Sequence, residues 1–195
     1  VARQNVALLA QQAREFRPEV VVIADEQHYA PLKEALADLP MKVWAGADAI
    51  ADVVQMAPVD VVLTAMVGYA GLRPTLAALE AGKAVALANK ETLVVAGELV
   101  TATARTGAPI LPVDSEHSAI FQCLVGQDAS AVEKVILTAS GGPFRTTTRE
   151  ALANVTPAEA LRHPNWSMGA KVTIDSASMM NKGFEMIEAR WLFGL

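Results

Sequence analysis

The feature that most constrains the fold is a regular alternation of short apolar runs with amphipathic segments over the first 113 residues. Apolar, mostly β-branched runs predict strands, and apolar residues three and four positions apart predict helices. The predicted strands cover residues 19–24, 41–44, 59–65, 84–88 and 108–111, and the predicted helices cover residues 6–16, 26–38, 48–56, 72–80 and 92–105. Short joints between such elements are typical of parallel strands covered by helices on both faces. The pattern therefore predicts a doubly wound α/β domain.

The pattern changes after residue 113. Residues 132–138 alternate as an antiparallel strand with one wet face does, residues 148–155 and 157–161 have helical spacing, and residues 172–174 form a short apolar run that predicts a strand. The predicted fold class is thus α/β: a Rossmann-like parallel sheet in residues 1–113, followed by an α+β domain in residues 114–195. A dinucleotide-binding sheet normally opens with a strand and a glycine-rich turn, and the sequence contains none. Both ends of the chain read as cuts, so we expect that turn to precede Val1.

Composition excludes several classes of function. With 195 residues and 52% hydrophobic side chains, the chain suits one large domain or two small ones. Its one cysteine, Cys123, predicted to pack in the core, rules out a disulfide framework within the chain and fits a reducing cytoplasm. A net charge of −5 without a basic cluster argues against nucleic acid as a partner. The longest apolar runs fall short of a membrane span, so we expect no membrane contact.

An acidic stretch follows the last predicted strand of the first domain. Asp114 and Glu116 are separated by one residue at the point where that strand ends. Two carboxylates so placed can bind one hard cation such as Mg²⁺ or Mn²⁺. The alternative is helix capping, with Asp114 or Ser115 as the N-cap and Glu116 or His117 in the first turn. The stretch by itself does not separate these interpretations.

Two loops of the second domain each allow two interpretations. The small-residue turn that begins at Ser140 offers a hydroxyl and backbone N–H groups to an anion, but it is also typical of a flexible turn. The loop over residues 162–169 contains Trp166 and Met168 without periodicity. Such apolar side chains either pack back on the core or form a lid that covers a bound small molecule.

The last segment predicts a helix from about Lys182. Phe184, Ile187 and Trp191 share one of its faces. Glu185 and Glu188 share another, which by itself favours a solvated face. Ser176, Asn181 and Lys182 supply a hydroxyl, an amide and an ammonium group, a set that suits a phosphate monoester.

Five stretches, in order along the chain, resemble one family: 1-deoxy-D-xylulose 5-phosphate reductoisomerase of the non-mevalonate isoprenoid pathway. They are ANKE at 88–91, LPVDSEH at 111–117, SGGPFR at 140–145, RHPNWSMG at 162–169 and DSASMMNKGFE at 175–185. The resemblance covers essentially the whole chain, and five segments in register are very specific.

The resemblance implies an NADP-dependent oxidoreductase and isomerase. Such an enzyme rearranges a phosphorylated ketose through a metal-chelated intermediate and then reduces the resulting aldehyde with NADPH. The product is 2-C-methyl-D-erythritol 4-phosphate. The implied cofactors are NADPH and Mn²⁺, Mg²⁺ or Co²⁺, the implied assembly is a homodimer, and the implied location is the cytoplasm.

The resemblance also assigns roles to residues of this chain, with residues 114–195 as the catalytic domain. The implied metal ligands are Asp114, Glu116 and Glu185. The implied catalytic residues are Lys90, Glu116, His163 and Trp166, the last as part of a closing flap. The implied substrate-binding residues are Lys90, Ser115, Glu116, Ser140, His163, Ser176, Asn181, Lys182 and Glu185. The implied cofactor-binding residues are Arg3, Gln4, Asn5, Asn89, Glu91 and Gly169.

One departure and two alternatives accompany this hypothesis. Arg3 precedes Gln4 where the family has a small residue and then a basic one, which leaves open which side chain meets the NADPH 2′-phosphate. One alternative is a folded fragment that binds phosphate or divalent metal without turnover. The other is a different NAD(P)-linked oxidoreductase that shares the sheet, which metal independence would support.

Overall fold

The computed structural model describes residues 1–105 and 107–194. Its strands are β1 (Val20–Ile23), β2 (Lys42–Ala45), β3 (Val61–Thr64), β4 (Ala84–Leu87) and β5 (Ile110–Pro112). Its helices are α1 (Val6–Phe16), α2 (Tyr29–Ala35), α3 (Ala47–Val53), α4 (Leu72–Glu80), α5 (Lys90–Ala104), α6 (Ser115–Leu124), α7 (Arg149–Leu152), α8 (Pro157–Ala160), α9 (Ala170–Ala177) and α10 (Met180–Phe193). Strand and helix alternate up to β5, as the apolar pattern predicts.

The strands pair in parallel, which confirms the α/β class. β1 pairs with β2, and β4 lies between β3 and β5. Within the described residues these are two separate sheets, because no backbone hydrogen bond joins β1 to β3. Ala2 forms an isolated parallel bridge with Ile23 on β1. The chain therefore brings residues 3–5 to the carboxyl end of β1, the edge at which open α/β sheets bind ligands.

Each sheet has its own apolar core. Leu79, Val85, Leu93 and Val100 are fully buried around the three-stranded sheet. A second cluster of buried residues around β1 contains Leu9, Ile23, Leu32 and Leu36. Burial of these side chains is the main favourable contribution to folding, at about 1.5–3 kcal/mol for each large aliphatic residue.

Several local predictions for the second half of the chain are wrong. The predicted antiparallel strand at residues 132–138 is not a strand in the structure, because no described segment lies beside it to complete a ladder. The predicted strand at 172–174 lies inside α9, where the amide and hydroxyl of Thr173 both donate to the Gly169 carbonyl, at 3.1 and 2.9 Å. A run of three residues is too short to separate a strand from a buried helix turn. Cys123 is exposed on α6 and does not pack in the core.

Helix α10 packs on α5 through a close approach at a glycine. The indole of Trp191 lies against the backbone of Gly97, where an added Cβ would overlap the ring. This contact turns the acidic face of α10 inward, so that Glu185 and Glu188 are only 1% and 2% exposed, whereas Ile187 on the predicted inner face is 40% exposed. The solvated-face interpretation of the two glutamates is therefore wrong.

No helix in the described ranges combines the length and the hydropathy needed to cross a lipid bilayer.

The Gly97 contact gives a stability prediction. Gly97→Ala should lower the free energy of unfolding by about 1–3 kcal/mol, because the new methyl group forces Trp191 and α10 away from α5. Urea unfolding followed by circular dichroism measures the change. Gly183→Ala is the matched control, since a Cβ there would meet only the Met180 sulfur at 3.7 Å. That helical control should gain roughly 0.5–1 kcal/mol, and equal stability of the two variants would contradict the packing described here.

Candidate functional site

A cavity of about 710 Å³ lies where α5, α6, α9 and α10 meet two loops. It is lined by every residue that the resemblance assigns to catalysis, substrate or metal: Lys90, Asp114, Ser115, Glu116, Ser140, His163, Trp166, Ser176, Asn181, Lys182 and Glu185. Thr138, Met168, Val172 and Met179 also contribute to its wall. Residues that lie up to 95 positions apart in sequence are thus brought to one space.

Parallel pairing explains why Lys90 and Asp114 are neighbours. β4 and β5 are adjacent parallel strands, so their carboxyl ends meet at one edge of the sheet. Lys90 begins α5 after β4, and Asp114 precedes α6 after β5. The Lys90 ammonium lies 2.8 Å from Oδ2 of Asp114. Asp114 occupies the N-cap position of α6, but its side chain does not hydrogen-bond to that helix, so its carboxylate is available to the cavity.

Three carboxylates converge beside these residues. Oxygen atoms of Asp114, Glu116 and Glu185 all lie within 4.8 Å of one another. Hard oxygen donors at this spacing fit a divalent cation such as Mg²⁺ or Mn²⁺. These three carboxylates therefore fit the divalent metal that the resemblance implies.

Two lysines offset the charge of these carboxylates. The Lys90 ammonium lies 3.2 Å from Oε1 of Glu185, and the Lys182 ammonium lies 3.1 Å from Oε1 of Glu116 and also contacts Oε2 of Glu185. Burial lowers the pKa of Lys90, but its hydrogen bond and charge interaction with Asp114, together with Glu185, outweigh burial and raise that pKa. Burial likewise raises the pKa of Asp114, but His117 and Lys90 outweigh it and hold the pKa well below its usual range. Both groups are therefore charged at neutral pH.

Asn181 belongs to the same cluster. Its Oδ1 accepts a hydrogen bond from Lys90 at 2.8 Å, and its Nδ2 donates to Oε1 of Glu185 at 2.5 Å. The structure thus places Asn181 and Lys182 against the carboxylates. The hydroxyl of Ser115 donates to Oε2 of Glu116 at 2.7 Å, which orients that carboxylate.

A second polar group adjoins the carboxylates, and the sequence had suggested only a capping position for His117 and a solvated face for Glu188. His117 is fully buried, and its Nε2 lies 2.9 Å from the backbone carbonyl of Glu185. Its Nδ1 faces Oδ1 of Asp114 at 3.5 Å and Oε2 of Glu188 at 3.9 Å, and none of these three atoms has a hydrogen-bond partner among the described residues. Burial, with the charges of Asp114 and Glu185, raises the pKa of Glu188 to about 8. The sequence feature that could have indicated this group is the spacing of its members. His117 follows Asp114, and Glu188 follows Glu185, by one helical turn, which places each pair on one side of its helix.

The other end of the cavity is built from the small-residue loop and α9. Ser140 Oγ lies 3.1 Å from Nε2 of His163 and accepts a hydrogen bond from the Gly142 amide at 3.2 Å. Gly142 has φ +65°, and a Cβ there would lie 2.6 Å from the backbone carbonyl of Ser176. This close approach brings the hydroxyls of Ser140 and Ser176 to one wall. The loop is thus a defined turn packed on α9.

Trp166 does not pack back on the core. Its residue surface is 67% exposed, although it borders the cavity. The backbone amides of Asn165 and Trp166 both donate to Nδ1 of His163, at 3.2 and 3.0 Å. The imidazole of His163 therefore links this loop to Ser140. An exposed tryptophan at the mouth of a cavity is the arrangement that a lid requires.

The residues assigned to the cofactor lie outside the cavity lining. Asn89 is buried, accepts from the Thr92 amide at 3.0 Å and donates to Oε2 of Glu91 at 2.9 Å. Asn5 caps α1 by accepting from the Leu8 amide at 3.0 Å, and Arg3 and Gln4 beside it are exposed. Gly169 precedes α9. Asn89 therefore follows the carboxyl end of β4, and Asn5 lies three residues after Ala2, which pairs with the last residue of β1.

Glu188 gives a pH prediction. The unfolded chain holds this carboxyl near its ordinary pKa of about 4.3, and the folded chain holds it at about 8. Its contribution to stability is complete below the unfolded value and is lost as the pH rises to the folded value. Glu188→Gln should therefore gain about 1–3 kcal/mol relative to the unsubstituted chain between pH 5 and pH 8.

Urea unfolding in EDTA at both pH values measures that gain. Glu133→Gln, at an exposed glutamate that forms no ion pair within the described ranges, controls for the lost charge. A gain that does not change with pH would contradict the assignment.

Comparisons with known proteins identify one family. The family model for 1-deoxy-D-xylulose 5-phosphate reductoisomerase matches residues 1–97, and the model for the C-terminal domain of the same family matches residues 110–193. A protein of Bacteroides fragilis named 1-deoxy-D-xylulose 5-phosphate reductoisomerase is 69% identical over all 195 residues, which cover 50% of its own length. The chain thus spans about half the length of the curated relatives that it matches.

Solved structures give the same result. A reductoisomerase of this name from Zymomonas mobilis, in complex with NADPH, superposes on the whole chain with a TM-score of 0.91 at 48% identity, over 51% of its own length. A DOX-P reductoisomerase in complex with NADPH, fosmidomycin and magnesium superposes with a TM-score of 0.90 at 44% identity, also over the whole chain and 51% of its own length. With its sequence and its fold in agreement, the chain belongs to the 1-deoxy-D-xylulose 5-phosphate reductoisomerase family.

Proposed function

We propose that this chain forms the cofactor-binding and catalytic core of an NADPH- and divalent-metal-dependent enzyme that converts 1-deoxy-D-xylulose 5-phosphate to 2-C-methyl-D-erythritol 4-phosphate. The observation that carries the proposal is the convergence of Asp114, Glu116 and Glu185 on one cavity. A different oxidoreductase that shares only the sheet would leave this carboxylate set without a purpose.

Asp114, Glu116 and Glu185 would hold the cation. When bound, it supplies Lewis-acid stabilisation of negative charge on substrate oxygens. In the structure these carboxylates are neutralised by Lys90 and Lys182. A cation that takes over their charge leaves both ammonium groups able to bind oxygen atoms of an anionic substrate.

The part of the cavity formed by the loop at Ser140 and by α9 supplies groups for a phosphate. Ser140, Ser176 and His163 line the cavity, and so does Lys182, whose ammonium contacts Glu116. Hydroxyl, imidazole and ammonium donors suit phosphate oxygens. Binding energy from a phosphate that does not react orients the ketose end of the substrate toward Lys90, Ser115 and the carboxylates.

NADPH would lie along the carboxyl ends of β1 and β4, beside Arg3, Gln4, Asn5, Asn89 and Glu91, and would also contact Gly169 at the start of α9. This edge is the usual position of a dinucleotide on a parallel sheet. Trp166, exposed at the cavity mouth, would close over the substrate and exclude water while the aldehyde awaits reduction.

We assign the two functions to two consecutive parts of the chain. Residues 1–113 contain all the described strands and would bind the cofactor, and residues 114–195 contain most of the cavity lining and would carry the chemistry. Lys90 is the exception, because it reaches across from the first part. A homodimer and a cytoplasmic location stay predictions, the latter supported by an exposed thiol without a disulfide partner.

A second candidate is binding of metal or phosphate without turnover by the 195-residue chain. It is favoured by the fact that the chain spans only 50% of a closely similar relative. The two candidates differ in one assay, NADPH oxidation followed by absorbance with 1-deoxy-D-xylulose 5-phosphate and Mn²⁺, with and without EDTA. The assay compares this chain with a version extended to the length of its relatives.

EDTA-sensitive oxidation by both proteins would support the enzyme. Oxidation by the extended version alone would support the binding-only candidate for the 195-residue chain. Oxidation that EDTA does not affect would contradict both and favour a metal-independent oxidoreductase.

Glu116 provides the sharpest test of the metal site. Glu116→Gln should reduce turnover at least about 1000-fold and weaken Mn²⁺ binding, because it removes a charged ligand while keeping the side-chain shape. The fold should persist, since Glu116 lies at the edge of the cavity. Glu133→Gln should match the unsubstituted chain in both assays, and an active Glu116→Gln variant would remove Glu116 from the site.

Lys182 tests the phosphate end. Lys182→Ala should raise the KM for the ketose phosphate by roughly 10- to 100-fold, with a smaller effect on kcat, because a charged hydrogen bond to substrate is lost. Lys134→Ala is the control, at an exposed lysine outside this cavity. Steady-state kinetics at saturating Mn²⁺ and NADPH measure both, and an unchanged KM would take Lys182 out of the phosphate pocket.

A further inference from the structure

Helix α9 presents two neighbouring faces to different parts of the molecule. Val172 and Ser176, one helical turn apart, line the cavity. Lys171 and Asp175, each one residue earlier, form an ion pair with each other at 2.7 Å, beside the cavity-lining face. The rotation of α9 about its axis therefore decides where the Ser176 hydroxyl points.

Lys171 connects α9 to α5 and α10, two of the three other helices that carry site residues. Its ammonium lies 2.5 Å from Oε1 of Glu91 on α5, and it also lies over the ring of Phe184 on α10, 5.1 Å from the ring centre. Within the described part of the chain, no other ion pair joins α5 to α9. Thus one side chain joins the helices that carry Lys90, Ser176 and Glu185.

The surroundings of this ion pair make it stronger than an ordinary surface pair. The side chains of Glu91 and Asp175 are 17% and 16% exposed, and one ammonium serves both carboxylates. The other oxygen of Glu91, Oε2, accepts a hydrogen bond from the buried Asn89 at 2.9 Å. The Lys171 side chain is 43% exposed, so solvent still screens the network in part, but two partly buried carboxylates make it less screened than an isolated exposed pair.

We propose that Lys171 is a positioning residue that fixes the rotation of α9, and through it the Ser176 hydroxyl, against the Asn89–Glu91 segment that begins α5. Lys171 itself does not line the cavity and need not touch substrate. Its action on phosphate binding rests on the proposed function, whereas its action on α9 does not.

The first test needs no substrate. Amide hydrogen exchange over residues 170–177 is compared in Lys171→Met, Lys171→Arg and Lys134→Met variants of the 195-residue chain. Lys171→Met should speed exchange by about 3- to 10-fold, because α9 loses its ion pair with Glu91 on α5. Lys171→Arg, which keeps the charge, should restore most of the protection, and Lys134→Met should change nothing.

Glu91→Gln supplies the partner variant. If Lys171 holds α9 through its ion pair with Glu91, Glu91→Gln alone should speed amide exchange as Lys171→Met does. Exchange in the double variant should then be no faster than in either single variant. Additive effects, or exchange in Lys171→Met equal to that of the unsubstituted chain, would overturn the proposal.

The second test is kinetic and uses the version extended to the length of its relatives. Lys171→Met should raise the KM for the ketose phosphate by about 3- to 10-fold while kcat changes little, and Lys171→Arg should reverse most of this. A loss of general stability would not produce that selective change. An unchanged KM in an active enzyme would overturn the link to Ser176. Inactivity of the unsubstituted protein would count against the proposed function instead. The hydrogen-exchange result would then decide the role of Lys171.

Discussion

The site depends on a buried carboxylate that is paired on both sides. Glu185 is 1% exposed, with Lys90 against one of its oxygens and Lys182 against the other. A buried charge without partners would cost several kcal/mol, so the fold that buries Glu185 must also deliver both lysines. Lys90 comes from the end of a parallel strand and Lys182 from α10, and their meeting at Glu185 fixes the rest of the cavity.

The packing of α10 on α5 makes that meeting possible. Gly97 lets Trp191 approach the backbone of α5, and Glu185 and Glu188 of α10 are buried against Lys90 and His117. Asp114 and Glu116 then face Glu185 from the start of α6, and their separation suits one divalent cation.

The first half of the fold was predictable because its signals are local. Helices over 6–16 and 72–80 have the predicted bounds, since their apolar spacing and flanking residues define them within one segment. The burial of Glu188 and the helical state of residues 172–174 were not predictable from pattern alone. The burial of Glu188 depends on a partner distant in sequence, His117, whereas residues 172–174 are too short a run to separate a strand from a helix turn. The grouping of the site residues came from their resemblance to a family, and the structure brings them to one cavity.

Direct Mn²⁺ binding tests the central claim, that Asp114, Glu116 and Glu185 form a preorganised divalent-cation site. Electron paramagnetic resonance of free Mn²⁺, titrated with the 195-residue chain at neutral pH, measures the stoichiometry without substrate or NADPH. The account predicts one ion per chain, displaced by Mg²⁺ and lost in Glu185→Gln. Absence of binding, or binding that Glu185→Gln leaves unchanged, would contradict it.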